Sequence, residues 1–358
     1  MEVNDSARYI EYATNLSTGF YFDPHNFWYF GYALFIFMIR IVSKDYLTLI
    51  VVQYFVSYLA VISLYKTSLI LFNDIRAALL TAACFSLFIE IPTWNSYILA
   101  ESLFISCTCF SLYVLAIFFK RQSHIRLAVV CVMVLFTALI KPTGIAIAAA
   151  TAIALLYNPI VNIRNGWVRF SVVVISVAMI LAVANRMLLT FDVMENYQKG
   201  EVIYDVTTLP PDAQYEMLVV QPPGQLYAPD EKAQPITKIV SFILHHPVYW
   251  FRLFLTKLFF LLVHVRPFWS TGHNIFSLFF LLPSYYFLAR GLQREGINIV
   301  AKIFILVYLA VHVVSVCTTS EDWDGRFLMP LLPVICLVSG REVVAQFSAF
   351  VTKRDHPH

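Results

Sequence analysis

Charge is what this chain has least of. Only 13% of its 358 residues are Asp, Glu, Lys or Arg, against 59% hydrophobic, and the mean hydropathy is +0.72. That balance excludes a soluble globular fold. Cysteine is missing from the loops. All six (Cys84, Cys107, Cys109, Cys131, Cys317 and Cys336) lie in apolar runs, which argues against a disulfide framework and a thiolate metal cluster. Cys107 and Cys109, two positions apart, face different sides of a helix and make a poor chelate. Glycine is sparse, at eleven, and none builds a phosphate-cradling loop, so neither a nucleotide sugar nor ATP is expected as substrate. No cofactor and no nucleic-acid partner is expected.

What the chain has instead is long apolar sequence rich in aromatics, with 31 Phe, 20 Tyr and 6 Trp, as in proteins that pack in lipid and anchor at its two interfaces. Apolar runs cover 46–65, 77–93, 101–119, 127–140, 145–159, 170–189, 274–289, 303–318 and 327–340. A span takes roughly 20 residues and no fewer than about 17, so the shorter runs must borrow flanking residues. The expected fold is an all-α polytopic membrane protein with about nine transmembrane helices.

Orientation follows from the basic clusters Lys120/Arg121/Arg126, Arg164/Arg169 and Arg290/Arg294/Lys302. Placing all three in the cytoplasm satisfies the positive-inside rule. Residues 94–100, 141–144, 190–273 and 319–326 then fall outside. The segment 190–237 is acidic, with only Lys199 and Lys232 as cations. Its paired prolines, Pro210-Pro211 and Pro222-Pro223, predict irregular structure. Both ends of 238–264 must be external, so this run reads as an amphipathic helix pair in the outer interface. The expected organisation is therefore 1–45 as an acidic helix and a juxtamembrane helix, 46–189 as a first helix group and 190–273 as a large external loop. A last helix group at 274–340 and a cytoplasmic tail at 341–358 complete it. Segment 27–42 forks the reading: lying flat it leaves Asp5 outside, and spanning it puts Asp5 inside.

Against so apolar a background each remaining charge needs its own explanation. Asp5, Tyr9, Tyr12 and Leu16 recur at helical spacing, so one face would present a carboxylate beside two phenols. Such an aspartate suits general-base work on a hydroxyl; the ordinary alternative is a solvated residue or an N-cap. Glu101 opens a span, where the helix dipole alone accounts for an anion, yet it follows Pro92, Trp94, Asn95 and Tyr97 at an external interface where a second acid would sit. Lys141-Pro142-Thr143-Gly144 turns between two runs; Lys141 either snorkels or meets a phosphate. The loop Glu321-Asp322-Trp323-Asp324-Gly325-Arg326 concentrates charge before the last span. There Arg326 suits a lipid phosphate, and Asp324 suits that arginine or a sugar hydroxyl. Asp322-Trp323-Asp324 also leaves a divalent ion open. Arg266 is another external cation among aromatic rings. His245-His246-Pro247 is a poor metal motif, because adjacent histidines rarely chelate one ion.

In order along the chain, these elements resemble the GT-C superfamily of membrane glycosyltransferases, in its protein O-mannosyltransferase-like branch, family 39. Asp5, Tyr9, Ala13, Leu16 and Gly19 fit the pattern of the first acidic loop. Glu101 opens a later span in a Glu-x-Leu-Phe context, and Lys141-Pro142-Thr143-Gly144 matches a Lys/Arg-Pro-x-Gly turn. His246-Pro247-Val248-Tyr249 matches His-Pro-x-Tyr, and Asp324-Gly325-Arg326-Phe327 through Pro330 matches the closing motif. The resemblance implies a cell-membrane enzyme, in the bacterial inner membrane with its site on the periplasmic face. It would move a sugar from a polyprenyl-phosphate donor to a hydroxyl on a glycan, lipid or protein. Asp5 would be the base, and Glu101 would orient the acceptor or the base. Lys141, Arg326 and Arg266 would hold the donor phosphate, and Tyr9, Tyr12, Asp324 and His246 would position substrate. Family members carry a transmembrane helix before the acidic loop, whereas here Asp5 stands fifth in the sequence.

Two other classes compete. An O-antigen polymerase or ligase-like enzyme predicts arginines in the large external loop, and 190–237 contains none. A transporter or flippase for lipid-linked glycans predicts matched internal repeats with paired broken helices, and Lys141-Pro142 has no counterpart in the second half.

Overall fold

The computed structural model describes residues 4–191, 193–210 and 215–355, and over them the chain is a helical, multi-pass membrane protein. A short helix α1 (Asn4–Asn15) precedes α2 (Phe30–Val42), α3 (Tyr46–Phe72), α4 (Ile75–Leu87), the single turn α5 (Glu90–Trp94), α6 (Ala100–Lys120) and α7 (His124–Ala138). Next come α8 (Ile145–Val161), α9 (Gly166–Leu188), α10 (Val193–Lys199), α11 (Pro235–His245) and α12 (Pro247–Val263). The chain closes with α13 (Thr271–Gln293), α14 (Ile299–Thr318) and α15 (Leu332–Asp355). Among the described residues there is no strand, only the isolated bridges Glu201–Val219 and Ile203–Glu321.

Every apolar run of the sequence becomes a helix, because in lipid a segment must satisfy its backbone polar groups within itself. Among the described residues, seven helices are long and apolar enough to cross a membrane: α3, α6, α8 with its leading turn, α9, α13, α14 and α15 with its leading turn. Helices α4 and α7, at 13 and 15 residues, are shorter. Helices α11 and α12 meet at 112° across the His246-Pro247 break. Local chemistry sets the ends. Asp45 caps α3 by accepting from the Leu47 N–H, and Asn73 ends it in the left-handed region at φ 51°. Asp74 then caps α4 through the Arg76 and Ala77 N–H groups.

The chain forms two compact units: 1–148 with 279–305 and 329–358, and 149–278 with 306–328. In the first, α6 is the enclosed helix, with 72% of its apolar window buried; α3 and α7 pack on it and α4 packs on α15. Helix α15 does not stop at 340. Glu342 on it is buried and pairs with Arg294 at 3.3 Å, so the segment that reads as a tail from 341 continues a packed helix.

In the second unit, Tyr197, Val202, Ile203, Val206, Leu218 and Val220 join Phe242, Tyr249 and Phe260 in one core. The 190–237 segment is therefore irregular but not loose. Pro211 falls within 211–214, outside the described residues. Gly200 turns the chain here at φ +70°, and a Cβ would collide with the Val220 carbonyl, whose own N–H donates to the Gly200 carbonyl at 2.8 Å. Gly200→Ala is expected to destabilise the protein by at least about 2 kcal/mol, from left-handed strain plus overpacking. Thermal unfolding of the purified protein checks this, with Gly272→Ala, where nothing lies within 4 Å, as the control that stays near wild type.

Candidate functional site

In the first unit, α1 is amphipathic and carries Asp5 in its first turn, where the helix dipole favours an anion. Its neighbour is Arg8, one turn on, at 3.7 Å; the two side chains are 27% (Arg8) and 38% (Asp5) exposed. Arg8 is held by more than charge. Its guanidinium lies 4.5 Å from the Tyr29 ring and 4.8 Å from the Tyr9 ring, and it donates to Asn26 Oδ1 and to the Tyr9 hydroxyl, both at 3.2 Å. The sequence reading overlooked Arg8, although its i,i+3 spacing from Asp5 was the available signal.

The two expected phenols are not presented at the surface, although the Tyr9 hydroxyl shares Arg8 with Asp5. Tyr9 and Tyr12 are both buried, because they are the apolar face of α1. Tyr9 packs on Tyr29 and on Tyr32, with centroids 5.3 and 5.2 Å apart. Burial holds its phenol well above the ordinary range, and the charges of Tyr29 and Glu101 push it the same way, so it stays neutral. Tyr12 donates to the Tyr21 carbonyl at 3.2 Å and stacks edge-on against Tyr21, which anchors the 16–22 turn. Leu16 lies past the helix end.

Helices α1 and α2 are both fastened close to the other motifs, α1 through Ser6 and α2 through Gly31. The Ser6 hydroxyl donates to the Ile98 carbonyl at 2.9 Å, three residues before Glu101, and the Gly31 N–H donates to the Leu139 carbonyl at 2.7 Å, two residues before Lys141. Glu101 and Lys141 then meet directly, Nζ to Oε1 at 2.5 Å, with side chains 2% and 5% exposed. Lys141 does not snorkel to water. Its ammonium is enclosed by protein and paired with Glu101 rather than presented at the surface for a phosphate. Behind the pair runs a buried polar chain: Tyr32 donates to Gln53 at 2.9 Å, Gln53 donates to the Asn95 and Tyr97 carbonyls at 2.9 Å, and Ser102 donates to Asn95 at 2.6 Å.

In the second unit, Arg266 corrects the expectation of an external, phosphate-facing cation. It is 1% exposed and pairs with Glu321 at 3.2 Å, both side chains fully enclosed. It also donates to the Phe260 and Asp322 carbonyls at 2.8 and 3.1 Å. Neither side chain of the pair is open to the surface. Arg326 differs: it is 16% exposed and bound to Asp322 (Nε at 2.9 Å, Nη2 at 2.5 Å). Asp324, two residues before it in sequence, is exposed. His246 sits at the α11–α12 break, where its Nε2 accepts from the Tyr227 N–H at 2.7 Å and its ring packs on Phe242.

Lys257, also in this unit, is fully buried and donates to the Thr319 carbonyl at 2.5 Å. An open groove of about 820 Å³ runs along α11 and α12, lined by Ile243, Val248, Phe251, Leu255 and Phe259, with Arg252 its only charge. Among the described residues no three His, Cys, Asp or Glu side chains gather as metal ligands. Comparison of the chain with protein-family models, curated proteins and solved structures gives no match.

Proposed function

We propose that this chain is a membrane glycosyltransferase that moves a sugar from a polyprenyl-phosphate donor to a hydroxyl acceptor on a glycan, lipid or protein. The observation that carries the reading is the convergence in the first unit. A half-exposed carboxylate on α1 is docked against the turn that leads to Glu101, and Glu101 is bonded to Lys141. Three motifs scattered through the sequence thus lie on segments bonded to one another. The apolar groove with a single arginine at α11–α12 supports a donor with a long hydrocarbon chain and an anionic head.

In this reading the acceptor oxygen attacks the anomeric carbon while its proton passes to the Asp5 carboxylate. The bond from the anomeric carbon to the phosphate oxygen breaks, and polyprenyl phosphate leaves with the electron pair, inverting the centre. Arg326 stabilises the phosphate as its charge develops, and the Glu101–Lys141 pair fixes the floor beneath Asp5. The reading takes α4 and α7 as further crossings and α2 as lying flat, which would leave Asp5 on the outer side. The bacterial inner membrane is the setting, with the acceptor on the periplasmic side.

The test is transfer from a polyprenyl-phosphate sugar by the purified protein in nanodiscs, read as release of polyprenyl phosphate. Arg326→Ala is expected to raise the donor KM about tenfold or more while leaving the acceptor KM alone, because a charge-assisted phosphate contact is lost. An unchanged donor dependence removes the phosphate role from Arg326. No transfer by the unaltered chain across polyprenyl-phosphate sugars rejects the proposed function.

A further inference from the structure

We propose that Glu321 and Arg266 are positioning residues for Arg326, acting through Asp322; the proposal rests on the glycosyltransferase reading, in which Arg326 meets the donor phosphate. Both members of the Arg266–Glu321 pair are completely enclosed, so neither touches substrate. What both of them touch is the backbone of Asp322. Arg266 Nη2 donates to the Asp322 carbonyl at 3.1 Å, and Glu321 Oε1 accepts from the Asp322 N–H at 3.2 Å. Asp322 is thereby gripped on both sides of its Cα, and its carboxylate is the group that binds Arg326, at 2.9 and 2.5 Å.

The grip is itself anchored. The Arg266 N–H donates to Asn274 Oδ1 at 3.0 Å, and Asn274 Nδ2 returns a bond to the Arg266 carbonyl at 2.9 Å. On the other side, the Glu321 N–H donates to the Val202 carbonyl at 3.1 Å and its carbonyl accepts from the Tyr204 N–H at 3.0 Å. Gly325, at φ +65° and with no room for a Cβ against His264, closes the turn that brings Arg326 back to Asp322.

A buried ion pair is a poor device for stability alone, since taking both charges out of water offsets most of their attraction. Its strength is geometric, because a bidentate fork fixed among several acceptors holds a neighbour in one place. The Arg326 guanidinium needs that fixity. It sits on a loop, and a phosphate contact misplaced by about 1 Å loses much of its effect.

The experiment is a double-mutant cycle on the full chain in nanodiscs, read by the Kd for undecaprenyl phosphate and by donor KM and kcat. Glu321→Gln is expected to raise the Kd and donor KM about tenfold and to lower kcat by no more than Arg326→Ala does. In an Arg326→Ala background the same change is expected to have no further effect. Should Glu321→Gln fail to fold, the paired change Arg266→Met with Glu321→Leu leaves no charge buried, and it is expected to show the same loss with the same dependence on Arg326. An equal loss in both backgrounds, or a wild-type Kd for folded variants, overturns the proposal. Absence of both binding and transfer in the unaltered chain instead overturns the glycosyltransferase reading, and this inference with it.

Discussion

Asp5→Asn is expected to lower sugar transfer by about 10²–10⁴-fold while the protein still inserts and folds. The amide keeps the shape of the carboxylate but cannot take the acceptor's proton. The structural loss is small, because Asp5 is 38% exposed and its contact with Arg8 is at 3.7 Å; exposed pairs of this kind contribute under about 1 kcal/mol. The docking of α1 also survives, since it depends on the Ser6–Ile98 bond and on the buried faces of Tyr9 and Tyr12. Transfer rates at saturating donor and acceptor, beside size-exclusion profiles of both proteins, separate lost chemistry from lost fold. Transfer at the wild-type rate by the asparagine variant would remove Asp5 as the base.

Lys141→Met is expected to have the largest effect on stability of any single change considered. It strands the Glu101 carboxylate, 2% exposed, in surroundings already filled by Tyr9 and Tyr32, and breaking a buried pair from one side costs about 3–5 kcal/mol. The paired change Lys141→Met with Glu101→Leu removes both charges and is expected to recover most of that loss. Heat-induced loss of monodisperse protein reads both variants, since a membrane protein of this size is better followed by a rate than by an equilibrium. The comparison separates two roles for Lys141. A lysine kept for a ligand's phosphate would tolerate methionine with little change in stability, and restoring Glu101's neutrality would rescue nothing.

The helices were legible because their cause is local. A run such as 101–119 or 170–189 has no partner for its backbone other than itself once in lipid, so α6 and α9 appear within a few residues of where the apolar sequence lies. Caps such as Asp45 and Asp74 belong to the same local chemistry. The end of the last helix was not legible in the apolar pattern: α15 runs on past 340, and Glu342 on it pairs with Arg294.

The charged residues divide the same way. Composition alone established that the chain belongs in a membrane and that its few charges carry meaning, since each is too costly in lipid to be incidental. Which charge meets which was decided by tertiary structure. Lys141 lies 40 positions from Glu101, and no periodicity links two helices that become neighbours only on packing. Arg266 reads as an accessible cation among aromatics, until the loop bearing Glu321 folds over it and turns it into an enclosed clamp on Asp322. Arg326 keeps its access because its partner, Asp322, is one turn away on the same loop. The sequence by itself determined that this is a helical membrane protein with scarce, consequential charge. Only packing sorted those charges into enclosed pairs and accessible groups, because desolvation depends on every chain segment that closes over a residue and not on the residue's own neighbours in sequence.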